Sequence, residues 1–195
     1  PVLSPLAGSL FLQAAGMEAI GTVYFLFVNK SLGFGPGVLG VVFAIGGLGS
    51  LLGASMATRV TIRFGAGPAL IGSLVLMASA MGMITLAQTA GLLALVIMIG
   101  QQLGDAFWIY YESTGTSLRQ VRTPDAMLGR INGTFENIQF AGLLLGAGLG
   151  AAIGEWVGLR ATILTGSGLV LLAALVLLTS PVRAVHHLGS VEAIS

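Results

Sequence analysis

Cysteine is absent from the sequence, and charged residues are scarce, with eight lysines or arginines and seven aspartates or glutamates in 195 positions. The absence of cysteine excludes a disulfide framework, a thiolate nucleophile and a cysteine-based metal site. The net charge of +1 argues against a nucleic-acid-binding surface. So few charges among 55% hydrophobic residues exclude an ordinary water-soluble domain. The composition indicates a protein that resides in the lipid bilayer.

No residue pattern typical of an enzyme is present. An intramembrane serine hydrolase needs a serine and a histidine facing each other within the bilayer, whereas His186 and His187 both follow the last apolar segment. Gly35, Gly37 and Gly40 match the glycine-rich nucleotide fingerprint literally, but no strand precedes them and no acid follows about 20 residues later. The sequence therefore predicts no enzymatic activity, no cofactor and no metal site.

Charge-free stretches divide the sequence into apolar segments, at positions 31–58, 64–104, 137–154 and 161–182. Each stretch has room for a helix of about 20 residues, the length that crosses a bilayer, and the longest has room for two. With one further span at the start, the sequence predicts an all-α, polytopic membrane protein with a single six-helix domain over residues 1–195. The predicted transmembrane helices lie near 6–28, 38–58, 69–88, 91–111, 132–154 and 159–180.

The distribution of positive charge predicts the orientation of these helices. Six crossings place both ends of the chain on one side, and that side carries six arginines, whereas the other carries only Lys30 and Arg160. Because positive charge accumulates in cytoplasmic loops, both ends of this segment are expected in the cytoplasm.

Glycines recur every four residues along the predicted fifth helix, at Gly142, Gly146, Gly150 and Gly154. Helices in lipid associate through close backbone approach at small residues, so this stripe predicts a packing face. Such a face also permits two helices to slide between two arrangements.

Polar side chains inside the predicted helices are candidates for a transport pathway, because an ionisable group within a bilayer is costly unless it has a function. Gln13 and Glu18 lie in the first helix, with Glu18 near the bilayer midplane. In the fourth helix, helical spacing predicts one polar face, formed by Gln101, Asp105, Trp108 and Glu112. Burial disfavours the charged form of a carboxyl group, which suits proton coupling, although a purely structural interhelical hydrogen bond is the alternative interpretation for both acids.

A second charged set lies near the predicted cytoplasmic surface. It comprises two acids and three arginines: Glu112, Glu136, Arg119, Arg122 and Arg130. These residues are expected to form ion pairs that act as a cytoplasmic gate or simply fasten the helices together.

The loop between the fourth and fifth predicted helices is the most specific part of the sequence. It contains Ser117–Gln120, Pro124–Asp125 and Leu128–Asn132, and it follows Gln101–Asp105. With the glycine-rich helix after it, this run resembles the carboxy-terminal half of major facilitator superfamily exporters, in the branch of the enterobactin exporter and macrolide efflux proteins.

The resemblance implies that the chain is half of a twelve-helix secondary transporter, a fragment whose amino-terminal half, or a second copy, is missing. It implies efflux of a small amphipathic or cationic compound across a bacterial inner membrane by alternating access, in exchange for protons as an antiporter. The alternative is a non-transporting half-size scaffold or subunit of a membrane complex.

Overall fold

The structure, a computed structural model, describes residues 2–186, and within that range it contains helices and connecting turns but no β-strand. His187, the second histidine considered above, lies outside the described residues. Six segments are long and apolar enough to cross a membrane. The predicted all-α fold with six membrane-spanning helices is confirmed.

Seven α-helices form these six crossings, because α4 and α5 together make one of them. Their bounds are α1 Leu3–Leu26, α2 Pro36–Phe64, α3 Ala66–Met83, α4 Leu92–Leu103, α5 Asp105–Val121, α6 Leu128–Trp156 and α7 Leu159–Leu178. A π-helical turn, Phe27–Ser31, extends α1, and short 3₁₀ turns follow α3, precede α6 and follow α7 at Ile84–Leu86, Asp125–Met127 and Pro181–Ala184.

Two crossings are longer than the apolar pattern predicts. Helix α2 continues to Phe64 rather than ending near 58, and the fourth crossing continues to Val121 rather than ending near 111, with an interruption at Gly104. Arg59, Arg63 and Arg119 lie inside these extensions. Charges therefore mark where a helix leaves the hydrocarbon, whereas the helix itself continues until its backbone hydrogen bonding ends.

Helix α1 packs against α6 and α7 at very short range. A Cβ added at Gly142 of α6 would lie 2.6 Å from the carbonyl oxygen of Phe11 in α1. One added at Gly150 would lie 2.8 Å from the carbonyl oxygen of Ala19. Gly146, between them, would collide with the backbone of Ala15. The glycine stripe thus lies directly on the α1 backbone.

The same kind of approach joins α1 to α7 and α2 to α5. Gly16 and Gly166 face each other, since a Cβ on either would lie 2.5 Å from the other's carbonyl oxygen. Gly53 of α2 faces the backbone of Ala106 in α5. Backbone contact through glycine is therefore the common packing device of this bundle.

Buried tyrosines connect α5 to both of its neighbours. The Tyr111 hydroxyl is 2.9 Å from Ser9 Oγ in α1, and the Tyr110 hydroxyl is 2.9 Å from Thr61 Oγ1 in α2. Consecutive side chains of α5 thus contact opposite neighbours, which leaves one face of α5 between α1 and α2.

Arg160 holds three elements together at one end of the bundle. From the first turn of α7 it donates hydrogen bonds to the carbonyl oxygens of Thr85, at 2.5 Å, and Ala87, at 2.6 Å. Its guanidinium also lies 5.5 Å from the centre of the Phe27 ring in the π-helical turn. The ends of α1, α3 and α7 are therefore joined there.

The segment after α7 fastens the opposite end. The backbone N–H groups of Ala66 and Gly67, in the first turn of α3, donate to the carbonyl oxygens of His186 and Val185 at 3.3 and 2.8 Å. The first N–H groups of a helix have no partner within the helix, so this segment satisfies two of them.

Candidate functional site

The fourth crossing is interrupted at Gly104 by a single tighter turn, in which Gly104 keeps helical dihedral angles of φ −61° and ψ −19° between α4 and α5. The Gly104 N–H donates to the Gln101 carbonyl oxygen at 2.9 Å, and a Cβ at Gly104 would lie 3.0 Å from Ala80 Cβ in α3. The interruption makes Asp105 the first residue of α5. Asp105 follows Leu92 by thirteen residues, so it lies roughly 20 Å into the crossing, near the middle of a hydrocarbon core about 30 Å thick.

A buried polar network lies beside this interruption. The Tyr24 hydroxyl of α1 donates to Gln101 Oε1 at 2.7 Å. Gln101 Nε2 in turn donates to Gln102 Oε1 at 2.9 Å and to Met81 Sδ at 3.2 Å. Both glutamines are buried. The network links α1, α3 and α4 and leaves Gln101 no free hydrogen-bonding group toward the cavity described next.

A cavity of about 270 Å³ opens between α1, α2 and the α4–α5 interruption. Its polar lining comprises Asp105, Gln101, Gln102 and Tyr24, and its apolar lining includes the aromatic rings of Phe25 and Phe43. No lysine or arginine is among the described residues that line it. An acid beside aromatic faces, without a neighbouring cation, is an arrangement that can hold a positively charged or neutral amphipathic molecule.

Gly46 of α2 determines the space available to the Asp105 side chain. A Cβ at position 46 would lie 2.6 Å from Asp105 Oδ2 and 2.7 Å from Gln102 Nε2. Glycine therefore lets both polar groups approach α2, and any larger residue would displace them.

The two polar residues predicted in α1 lie on different sides of that helix. Gln13 is buried, and its Oε1 has no hydrogen-bond partner. Around the axis of α1, Gln13 points between Ser9, which contacts α5, and Tyr24, which contacts α4, so it faces those two helices. Glu18 is partly buried and points about 140° away from Gln13 at 100° per residue. The structure therefore does not bring these two side chains together.

The polar face predicted for the fourth crossing is divided by the interruption at Gly104. Asp105, Trp108 and Glu112 share one face of α5, whereas Gln101 belongs to α4 and is held by Tyr24. The Trp108 side chain is 39% exposed. At Trp108 this face is open between α1 and α2, whereas at Glu112 it borders α1 and α6.

The charged cluster at the arginine-rich end has Arg119 at its centre. The Arg119 guanidinium lies 4.7 Å from the centre of the Phe135 ring. Arg119, Glu112 and Glu136 line a small cavity of about 160 Å³ between α1, α5 and α6. Arg119 Nε and Glu112 Oε1 are both buried without a hydrogen-bond partner. Arg122 and Arg130 are exposed and do not line this cavity.

The sequence-based prediction missed Tyr24, Gln102 and Phe43, which line the cavity, and Gly46, which adjoins Asp105. The spacing of Tyr24 from Gln13, eleven residues, places both on one face of α1 and was the available signal. Nothing in the sequence indicates that Phe43 and Gly46 of α2 would meet α4. Among the described residues, no three histidine, aspartate or glutamate side chains are grouped so that they could hold a metal ion.

Residues 6–194 match the family model described as Major Facilitator Superfamily. No curated protein matches the chain.

Proposed function

The chain belongs to the major facilitator superfamily and is thus a multi-pass membrane transport protein, and from this premise we propose that it is the carboxy-terminal half of a twelve-helix efflux transporter. In this proposal the family branch is that of the enterobactin exporter and macrolide efflux proteins. The protein resides in a bacterial inner membrane, with both ends of the described segment in the cytoplasm. Protons drive export, and the substrate is a small amphipathic or cationic molecule.

The observation that carries the proposal is the position of Asp105 near the middle of the membrane, beside a cavity. Ionisable residues within membrane-spanning helices are rare and typically lie on substrate or proton pathways. Asp105 is the one acid lining the cavity of about 270 Å³ beside Tyr24 and Phe43. A carboxylate there attracts a cation, and protonation removes the charge that holds it. Exchange of a proton for the cation follows from this competition.

The open face of α5 supports the presence of a second half. Trp108 on this face is 39% exposed, and Asp105 lines the cavity that opens between α1 and α2. A polar face in contact with lipid would be desolvated and unpaired. A second six-helix unit, either an amino-terminal half or a second copy, would convert this face into the wall of a central pathway. We assign Glu18 of α1, which is partly buried and does not line the Asp105 cavity, to the same pathway.

The charged cluster supports an alternating-access gate at the arginine-rich end. Glu112 and Arg119 each keep a buried polar atom without a partner, so the arrangement leaves hydrogen-bonding capacity unused. Another conformation of the protein can use that capacity by pairing the two side chains. Glu136 lines the same cavity and would contribute to the gate. Arg122 and Arg130 are exposed, and we assign them to the gate as surface arginines of the same end.

Transport into inverted vesicles tests the proposal. The native polypeptide is reconstituted with an imposed proton gradient, and uptake of the fluorescent cation ethidium is recorded. Asp105→Asn and Glu18→Gln should each reduce uptake at least tenfold, because each removes a proton-binding group. The matched control is Glu155→Gln, which neutralises an exposed acid at the end of α6 and should transport normally. Normal uptake by both pathway variants would contradict proton coupling through these acids and would favour a scaffold.

The size of the native polypeptide tests the half-transporter proposal independently. An antibody against residues 182–195 should detect a band near 40 kDa, about twice the 19.8 kDa of this sequence. A band near 20 kDa would require two copies to complete the pathway, and cross-linking through the open face of α5 would then test that arrangement.

A further inference from the structure

An apolar groove runs along the outside of the bundle between α2, α3 and α5, and is called here the α2–α3 groove. It has a volume of about 430 Å³. Its walls include Leu52, Met56 and Phe64 of α2, Gly72 and Leu76 of α3, and Phe107 of α5.

The polar side chains in the groove are already hydrogen-bonded within the protein. Ser73 Oγ donates to the Leu70 carbonyl oxygen at 2.8 Å, and the Tyr110 hydroxyl pairs with Thr61 Oγ1 at 2.9 Å. The groove therefore offers a ligand apolar contact and no free hydrogen-bonding group. Such a space favours a hydrocarbon chain over water or a polar substrate.

The dimensions and position of the groove match one leaflet of a bilayer. From Leu52 to Phe64 the α2 wall is twelve residues long, roughly 18 Å, compared with roughly 15 Å for half of the hydrocarbon core. Phe107 and Tyr110 point about 140° or more away from Asp105 around α5. The groove is therefore on the opposite side of α5 from the candidate substrate cavity.

Two arginines lie at the membrane-surface end of the groove. The Arg63 guanidinium is 5.4 Å from the ring centre of Phe64, a groove residue. Arg183 lines an adjoining cavity that shares Pro68 and Gly72 with the groove. No aspartate or glutamate lines either cavity among the described residues. The apolar groove thus ends in positive charge contributed from two elements.

We propose that the α2–α3 groove binds an anionic phospholipid. One acyl chain occupies the groove, and the phosphate group lies between Arg63 and Arg183. The charge complementarity selects an anionic headgroup, because basic pockets between helices at a membrane surface attract anionic lipid and each arginine there contributes to binding. A zwitterionic phospholipid would gain the same apolar contact without this attraction.

Native mass spectrometry of the purified native polypeptide tests this assignment. The delipidated protein is mixed with equimolar dioleoyl phosphatidylglycerol and dioleoyl phosphatidylcholine, and the adducts that survive are counted. The wild type should retain phosphatidylglycerol preferentially. Arg63→Gln and Arg183→Gln should each weaken its retention about fivefold. Lys30→Gln, which removes one positive charge at the other end of the bundle, should leave retention unchanged.

A groove-filling substitution tests the acyl chain separately from the headgroup. Gly72 has open space where a side chain would begin, so Gly72→Leu should fill the groove and abolish retention of both lipids. Gly168 of α7 has similar open space and lies outside the groove, so Gly168→Leu should bind as the wild type does. Circular dichroism checks folding. If Gly72→Leu fails to fold, the retention of phosphatidylglycerol by Arg63→Gln and Arg183→Gln tests the proposal instead. Equal retention of both lipids by the wild type, or unchanged retention in the double arginine variant, would overturn the proposal.

Discussion

Replacing Gly146 by alanine should force α1 and α6 apart, whereas the same replacement at Gly148 should leave the pair intact. The new Cβ at 146 would lie 2.9 Å from both the carbonyl carbon and the Cα of Ala15, and still closer to its carbonyl oxygen. These atoms belong to the α1 backbone and cannot rotate away. At Gly148 no atom lies within 4 Å of the added methyl group.

The expected magnitude follows from these two environments. Overpacking a tight contact costs about 1–3 kcal/mol, and alanine in an open helical position gains up to about 1 kcal/mol over glycine. The alanine gain is common to both variants, so Gly146→Ala should unfold with a free energy about 1–3 kcal/mol lower than Gly148→Ala. Because both variants carry the same substitution in the same helix, the comparison isolates the contact with α1.

Unfolding by sodium dodecyl sulfate in mixed micelles, followed by far-ultraviolet circular dichroism, measures this difference. Trp156, at the end of α6, provides a second signal by fluorescence. Equal transition midpoints for the two variants would refute the close packing of α6 on the α1 backbone.

Three further predictions rest on contacts elsewhere in the bundle. Gly46→Ala should weaken ethidium binding about tenfold by displacing the Asp105 carboxyl group, whereas Gly47→Ala, with open space at its Cβ, should not; equilibrium binding measures both. Arg160→Met should lower the free energy of unfolding by about 2 kcal/mol, because two carbonyl oxygens lose a charged donor; an unchanged detergent midpoint would contradict this. Tyr111→Phe should cost about 1 kcal/mol, and in a double-mutant cycle with Ser9→Ala the costs should not add.

The six crossings could be predicted from the sequence because each helix needs about 20 consecutive apolar residues to cross the lipid. Long charge-free stretches satisfy that requirement, and all six predicted helices are present. The ends of α2 and α5 could not be predicted in the same way. Their last turns carry Arg63 and Arg119, and hydropathy does not distinguish a charged helical turn at the membrane surface from a loop.

The interruption at Gly104 was also beyond the sequence pattern. Gly100 and Gly104 have the spacing of a packing stripe, yet Gly100 has open space around it and Gly104 lies against Ala80. Which glycine contacts another helix depends on the tertiary arrangement. The same holds for the Tyr24–Gln101 hydrogen bond, whose partners are separated by 77 positions.

The part of the candidate site that could be predicted is its ionisable residue, because a charged side chain inside a membrane indicates a functional site. Asp105 was found in this way, and it lines the cavity beside the interruption. Phe43 and Gly46 carry no polar signal. The place of Phe43 in the cavity and the contact of Gly46 with Asp105 depend on the packing of α2 against α4 and α5. Gln13 and Glu18 were grouped by proximity in sequence, but helical rotation separates their directions.

The central position of α1 has a consequence for biosynthesis. Gly16 and its contact Gly166 are 150 positions apart, and at roughly 5–20 residues per second the ribosome needs on the order of 8–30 s to synthesise the intervening chain. During that interval α1 is in the membrane, and its contact surface for α7 has no partner. The bundle therefore cannot assemble fully until α7 has been synthesised. A pause or a break in translation before α7 would leave α1 without the helix against which Gly16 packs.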